Sequence, residues 1–309
     1  MQWTISQSDC PAVIRDFLHR KKGISSKLLA KLKRQPDGIL LNGAPVFVNA
    51  PLQPGDILFV DCETGEDVSS VIPSALPVDV LYEDDYIRVL NKPPFMPTHP
   101  SLNHPDDSLA NAVAYMEKDS GVPFVFRPAS RLDRNTSGVV LTAKNQYCAS
   151  LLSAQMKAGT IHKTYLAILT CRSGSLPAEE GFLQFFMARK NESMVERCIV
   201  GENEKDAVYA LTAYRILSRS DDGSMLLVQA TPVTGRTHQL RVQFAHCGCP
   251  VLGDDLYGTS SPLISRQALH ASNLSFPHPI FKSKMEIEAP LPEDMAGVIS
   301  SNFTKTHID

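Results

Sequence analysis

The sequence predicts an α+β protein: a largely antiparallel mixed sheet with flanking helices, preceded by a small helix-helix-hairpin unit. Three observations predict it. The 309 residues suffice for about two domains, each with its own core. Short β-branched and aromatic runs recur without the regular strand–helix alternation of a parallel sheet, and no G-x-G-x-x-G or Walker loop is present to cradle a nucleotide. Charge is segregated: residues 1–40 hold eight Lys/Arg against three Asp/Glu, residues 55–86 hold nine acids and no base, and the rest holds 22 bases and 21 acids. The total of −3 therefore conceals a basic beginning. A hydrophobic fraction of 43% and a charged fraction of 20% exclude disorder, collagen and coiled coil.

Element by element, Val13, Ile14, Phe17 and Leu18 repeat at helical spacing. A second helix starts at a Ser25 cap, with Leu28, Leu29 and Leu32 inward. On that helix Lys27, Lys31 and Arg34 share a face away from the leucines, which suits either phosphate contacts or plain solvation. Ile39-Leu40-Leu41, the turn dipeptide Asn42-Gly43 and Val46-Phe47-Val48 read as a hairpin, and Ile57 to Val60 as a further strand. This first unit spans 1–62. Residues 63–77, acidic and proline-bearing, read as a solvated linker, and 78–309 as the larger domain. Strands are expected there near 86–90, 138–143, 161–169, 209–216 and 225–231.

No basic stretch with an apolar core opens the chain and no 18-residue apolar window occurs, so a cytoplasmic protein with no membrane contact is expected. The seven scattered cysteines lack zinc spacing and are expected to be reduced thiols.

Three polar clusters can carry chemistry. Arg131-Leu132-Asp133-Arg134-Asn135-Thr136-Ser137-Gly138 feeds an apolar strand, a rigid place from which to present a side chain. Adjacent guanidinium groups favour an ionised Asp133, fit to act as nucleophile or base. An Asx turn with surface arginines is the plainer account of the same residues. Thr234-Gly235-Arg236-Thr237-His238-Gln239-Leu240-Arg241 reads as turn then helix, with Arg241 at the helix edge and Arg236 a phosphate contact, or both in ordinary ion pairs. Lys163-Thr164-Tyr165-Leu166-Ala167 alternates as a strand, with Tyr165 either core or site.

Taken in order, these clusters resemble the motifs of the RluA-type pseudouridine synthases. Tyr82-Glu83-Asp84-Asp85 with Leu90-Asn91-Lys92-Pro93 is similar to that family's first block, and Gly253-Asp254 with Tyr257-Gly258 to the end of its last. Residues 12–60 separately resemble the small RNA-binding domain named after a ribosomal small-subunit protein. The resemblance implies the pseudouridine synthase fold and an isomerase that converts uridine in RNA to pseudouridine. It implies ribosomal RNA before transfer RNA, base flipping, no cofactor, no metal and a monomer. By the same resemblance Asp133 is the catalytic nucleophile, Arg241 pairs with it, Tyr165 packs on the uracil and Arg131 helps extrude the base. Lys27, Lys31, Arg34 and Arg236 are the candidate RNA contacts. Ser130 and Gln243 stand where relatives carry histidine. A binding protein that has lost catalysis is disfavoured by the intact Asp133, Tyr165 and Arg241. An Asp-dependent hydrolase is disfavoured because Asn135 occupies the place of a phosphatase's second aspartate and the motif supplies no second carboxylate for a glycosidase.

Overall fold

A computed structural model describes residues 1–62, 70–119, 124–171, 176, 178–190, 193 and 195–303. The chain opens with β1 (Gln2–Thr4), then α1 (Ile14–Asp16), which runs on through one wider turn at Phe17–Lys21, and α2 (Ser26–Leu32). The Ser25 hydroxyl accepts from Leu28 N and so supplies the cap that starts α2. β2 (Ile39–Leu41), β3 (Ala44–Pro45) and β4 (Ile57–Val60) complete an antiparallel sheet in the order β1-β4-β2-β3.

Two expectations change here. The partner of β2 is Ala44–Pro45 rather than Val46-Phe47-Val48. A two-residue turn at Asn42 and Gly43, both at positive φ, closes the hairpin immediately, and Pro45 lacks the N–H to carry the ladder further. The hairpin also becomes a four-stranded sheet, because β1 pairs with β4. The stretch expected to be a solvated linker, 63–77, lies outside the described residues over 63–69. Beyond them it is tethered: Asn111 Nδ2 donates to Ile72 O at 2.8 Å and Ser74 N to Asn111 O at 3.1 Å.

The second sheet has ten strands. It is built from β5 (Asp79–Glu83), β6 (Ile87–Lys92), β7 (Ser137–Ala143), β8 (His162–Thr170), β9 (Glu180–Arg189), β10 (Arg197–Val200), β11 (Val208–Arg219), β12 (Met225–Pro232), β13 (Leu269–Pro277) and β14 (Lys284–Glu288). The order is β10-β9-β11-β12-β8-β13-β7-β6-β5, with β14 also on β13. Helices α3 (Leu109–Met116), α4 (Gln146–Lys157), α5 (Gln239–His246) and α6 (Glu293–Asn302) flank it. The five strands foreseen appear as β6, β7, β8, β11 and β12, while β5, β9, β10, β13 and β14 are additional. β9 lacks a clean inside–outside alternation, and β13 carries His270, Ser272 and Asn273 amid its apolar residues, so neither shows the period-two signal.

β7 and β13 form a parallel pair, joined only over Ser137↔His270 and Gly138↔Ala271. Gly138 sits at φ 112°, and a Cβ there would lie 2.1 Å from the carbonyl oxygen of Ala271. Only glycine permits this approach. The joint divides the interior into two apolar clusters, one over β8, β12, α5 and α6, the other over β6, β7, α3 and α4. Tyr165 packs against both.

One cysteine expectation is corrected. Cys171 and Cys249 are paired as a disulfide with Cα atoms 4.6 Å apart, whereas Cys10, Cys148, Cys198 and Cys247 are free. The bridge follows from Thr170 N donating to Pro250 O, which lays the end of β8 beside the chain leaving α5.

Candidate active site

The loop that carries Asp133 is fastened at each neighbouring residue. Thr98 Oγ1 donates to Leu132 O at 3.0 Å and accepts from Leu132 N at 3.2 Å. Lys92, fully buried, donates to Arg134 O at 3.0 Å and to Pro93 O and Met96 O at 2.8 Å, one carbonyl for each N–H of an ammonium. Arg266, also fully buried, donates to Asn135 O at 3.2 Å while Asp294 pairs with its Nε and Nη2. Gln267 Nε2 reaches Thr136 Oγ1 at 3.3 Å. Thr136 N closes the turn on Asp133 O at 3.1 Å. The loop is rigid because it is held from β6, from the segment at Thr98, from the segment before β13 and by its own closing turn.

Asp133 projects from that turn with a side chain 27% exposed, open to a ligand yet close to charge. Arg241 Nη1 lies 3.3 Å from Asp133 Oδ2. Arg241 is itself set by Asp254, which takes Nε at 2.7 Å and Nη2 at 2.8 Å in a two-toothed grip and is completely buried. Leu256 N and Tyr257 N in turn donate to Asp254 Oδ1, and the Tyr257 ring lies 5.1 Å below the guanidinium. One edge of Arg241 is thereby committed, and the remaining nitrogen faces Asp133. Burial disfavours the charged form of Arg241, but Asp254 and then Asp133 outweigh it and raise its pKa.

Beneath the carboxylate, strand register lines up five residues. Ala230, Tyr165, Ala271, Gly138 and Lys92 stand opposite one another across β12, β8, β13, β7 and β6. The flanks of Tyr165 are thus alanines and a glycine, which leave its ring standing above a low floor. Burial pushes the Tyr165 phenol well above its usual pKa, and the Asp133 charge adds to this, so it is neutral. Burial pulls Lys92 down to about 7, Asp133 opposing and Arg266 and Arg134 reinforcing.

Of the other expected residues, Arg131 is exposed and makes no hydrogen bond among the described residues; its charge helps lower the pKa of His99, after burial. Arg236 is exposed and its Nε donates to Tyr209 O at 3.0 Å. Lys27, Lys31 and Arg34 do converge, lining with Ala30 and Gln35 a hollow of about 470 Å³. Arg34 lies past the end of α2, and Lys31 Nζ donates to Gln146 Oε1 at 3.1 Å. No hydrogen bond or ion pair among the described residues links these three to Asp133.

Lys92, Asp254 and His238 stand in the sequence only as members of the quoted motifs, with no role of their own. Asp254 is an acid next to another acid, Asp255, and only its burial distinguishes it. His238 Nε2 stands 3.9 Å from Asp133 Oδ2. Gln243, in the place of a common histidine, is buried and spans Leu183 O and Ala210 O, accepting from Thr212 Oγ1.

Comparison with known proteins identifies the family. A family model described as RNA pseudouridylate synthase matches residues 86–246. An uncharacterized RNA pseudouridine synthase of Bacillus subtilis, YjbO, is 35% identical over 277 residues, 90% of this chain and 95% of its own. The ribosomal large subunit pseudouridine synthase D of Xylella fastidiosa is 32% identical over 280 residues, 85% and 80% of the two chains. Among solved structures, the human RNA pseudouridylate synthase domain containing 1 superposes with a TM-score of 0.57 at 26% identity, covering 70% of this chain and 84% of that one. With its motif residues gathered around Asp133, this chain belongs to the RNA pseudouridylate synthase family, the enzymes that isomerise uridine to pseudouridine in RNA.

Proposed function

We propose that Asp133 is the nucleophile of this isomerisation and that the substrate is a uridine in ribosomal RNA, extruded from its stack before reaction. The observation that carries the reading is the pairing of a partly open Asp133 carboxylate with an Arg241 immobilised by Asp254. Nucleophilic catalysis needs an accessible and oriented carboxylate, and a fixed guanidinium on one oxygen orients it. Asp133 bonds to the nucleotide and the bond between C1′ and N1 breaks. The freed uracil turns, C5 bonds to C1′, the bond to Asp133 breaks and restores the free carboxylate, and the proton on C5 is lost while N1 gains one. No atom is added or removed overall, which a site made only of side chains can sustain. Tyr165, neutral and flanked across the sheet by Ala230 and Ala271, supports the uracil face.

A uridine inside a helix cannot reach Asp133, and extrusion costs a few kcal/mol, least in loops. Arg131, exposed next to Asp133 with no protein hydrogen bond among the described residues, supports a role in filling the vacated place. The ribosomal target is supported by relatives named ribosomal large subunit pseudouridine synthase D. Residues 1–62 serve as the docking domain, 63–77 as the connection and 78–309 as the catalytic domain, with Lys27, Lys31, Arg34 and Arg236 on phosphates. The test is Asp133→Asn, incubated with RNA from cells lacking the protein and read by pseudouridine-specific chemical sequencing. The wild type creates new sites in ribosomal RNA; the variant binds that RNA and creates none. Conversion by Asp133→Asn would remove the nucleophile, and new sites confined to transfer RNA would replace the substrate.

A further inference from the structure

His238 stands in the Asp133 cluster with no task in the steps above. It immediately precedes α5, where Ser, Thr, Asp or Asn usually caps the first N–H groups, and it makes no such cap. Its backbone instead takes φ 57° and ψ 21°, in the left-handed region that side chains other than glycine seldom occupy. That conformation turns the ring into the cluster, where the side chain is 10% exposed. Nδ1 lies 2.8 Å from Tyr257 Oη and Nε2 lies 3.9 Å from Asp133 Oδ2. Tyr257 Oη also accepts the backbone N–H of Arg197 at 2.9 Å, which leaves its own proton available to Nδ1. With Nδ1 accepting, the ring proton is on Nε2, the nitrogen on the Asp133 side.

We propose that His238 is a positioning residue for Asp133: a neutral ring, its tautomer set by Tyr257, that donates from Nε2 to Oδ2 beside Arg241 and fixes the rotation of the carboxylate without exchanging a proton with it. The inference rests on Asp133 being the nucleophile. Arg241 and His238 approach the same oxygen from α5 and from the turn before it, which turns Oδ1 toward the substrate. A contact of 3.9 Å in the free protein becomes a hydrogen bond when substrate displaces water, as such contacts commonly do.

The charges around the ring define its pH behaviour. Asp133 on the loop before β7 and Asp254 after α5 favour an imidazolium, while Arg241 on α5 and Arg197 on β10 oppose it. Burial is the largest influence and holds His238 below its ordinary 6.5, so it is neutral at neutral pH. Acid converts it to an imidazolium, which adds a second cation to the oxygen that Arg241 already holds and draws charge from the attacking carboxylate. The wild-type rate should therefore fall along an acid limb, below pH 6.5, through His238.

The experiment measures single-turnover conversion by the full chain, with total RNA from cells lacking the protein, alongside RNA affinity and thermal melting. Asparagine tolerates the left-handed backbone and its amide reaches Tyr257 but not Asp133. His238→Asn should slow conversion about 10- to 100-fold, the usual effect of removing an orienting partner, with RNA affinity and melting unchanged. Glutamine places an amide nitrogen near the Nε2 position, so His238→Gln should regain most of the rate and lose the acid limb. Tyr257→Phe leaves His238 in place, frees Nδ1 to take the proton, and should slow conversion likewise; it decides the matter if either His238 variant fails to fold. A wild-type rate in His238→Asn and Tyr257→Phe, or an unchanged acid limb in His238→Gln, overturns the proposal. Asp133→Asn run in parallel separates the two readings: conversion by that variant overturns the nucleophile, whereas its inactivity beside unaffected His238 variants overturns only the inference about His238.

Discussion

Single side chains here are committed in pairs, and the cost of uncoupling them can be estimated. Arg241 is buried between Asp254 and Asp133, so Asp254→Asn would leave a buried guanidinium with half its compensation. Breaking a buried pair from one side costs about 3–5 kcal/mol. Denaturant unfolding should show a loss of that size, and single-turnover conversion should fall with it, because the released guanidinium no longer faces Asp133 squarely. An unchanged midpoint would mean that Asp254 contributes only shape. Asp133 and Arg241 are legible in the sequence through their motifs. Asp254 is not, because its role depends on a burial that no local pattern encodes. Lys92 is likewise a lysine before a proline until its three carbonyl partners are seen.

Elements position these side chains, and two of them can be probed apart from the chemistry. The loop after Pro93 reaches the Asp133 turn through Thr98, whose hydroxyl serves both the N–H and the C=O of Leu132. Thr98→Val keeps the volume and leaves both buried groups unmatched, at about 1–3 kcal/mol. Thermal melting should drop accordingly, and conversion should fall while RNA affinity stays. Strand β13 carries His270, completely buried, its Nδ1 2.9 Å from Ser137 Oγ, and burial lowers its pKa to about 4. The unfolded chain therefore takes up this proton first as pH falls below 6.5, so stability declines from there to about pH 4 and then levels. At about 1.4 kcal/mol per pH unit the contribution is at most about 3 kcal/mol. His270→Asn should flatten the slope of melting temperature between pH 6.5 and 4.5; an unaltered slope would assign the acid sensitivity elsewhere. Strand β7 announces itself as an apolar run, and α2 by its Ser25 cap. Strands β9 and β13 stay silent because their side chains do not alternate.

At the scale of the molecule, the N-terminal sheet does not float. Tyr147 and Leu151 of α4 belong to its apolar cluster, Tyr147 Oη donates to Lys22 O at 2.5 Å, and Trp3 meets the Tyr147 ring edge-on. The hollow lined by Lys27, Lys31 and Arg34 is thereby fastened to the helix that flanks the second sheet. Replacing all three with neutral residues should weaken binding uniformly and reduce the slope of log affinity against log salt by about two to three, since each phosphate contact contributes about 0.7–0.9. A preserved slope would make that face a solvated one. The charge segregation that suggests this hollow is visible in the sequence. The seating on α4 is not, because Lys22 and Tyr147 are 125 residues apart and nothing local relates them.

The parallel joint between β7 and β13 carries a temporal consequence. Ser137 meets His270 across 133 residues, Arg266 reaches Asn135 across 131, and Arg241 reaches Asp133 across 108. Closing loops of that length is among the slow steps of folding. Asp133 emerges early from the ribosome but acquires its surroundings only when the last sixth of the chain arrives. A nascent chain is thus catalytically silent for most of its synthesis.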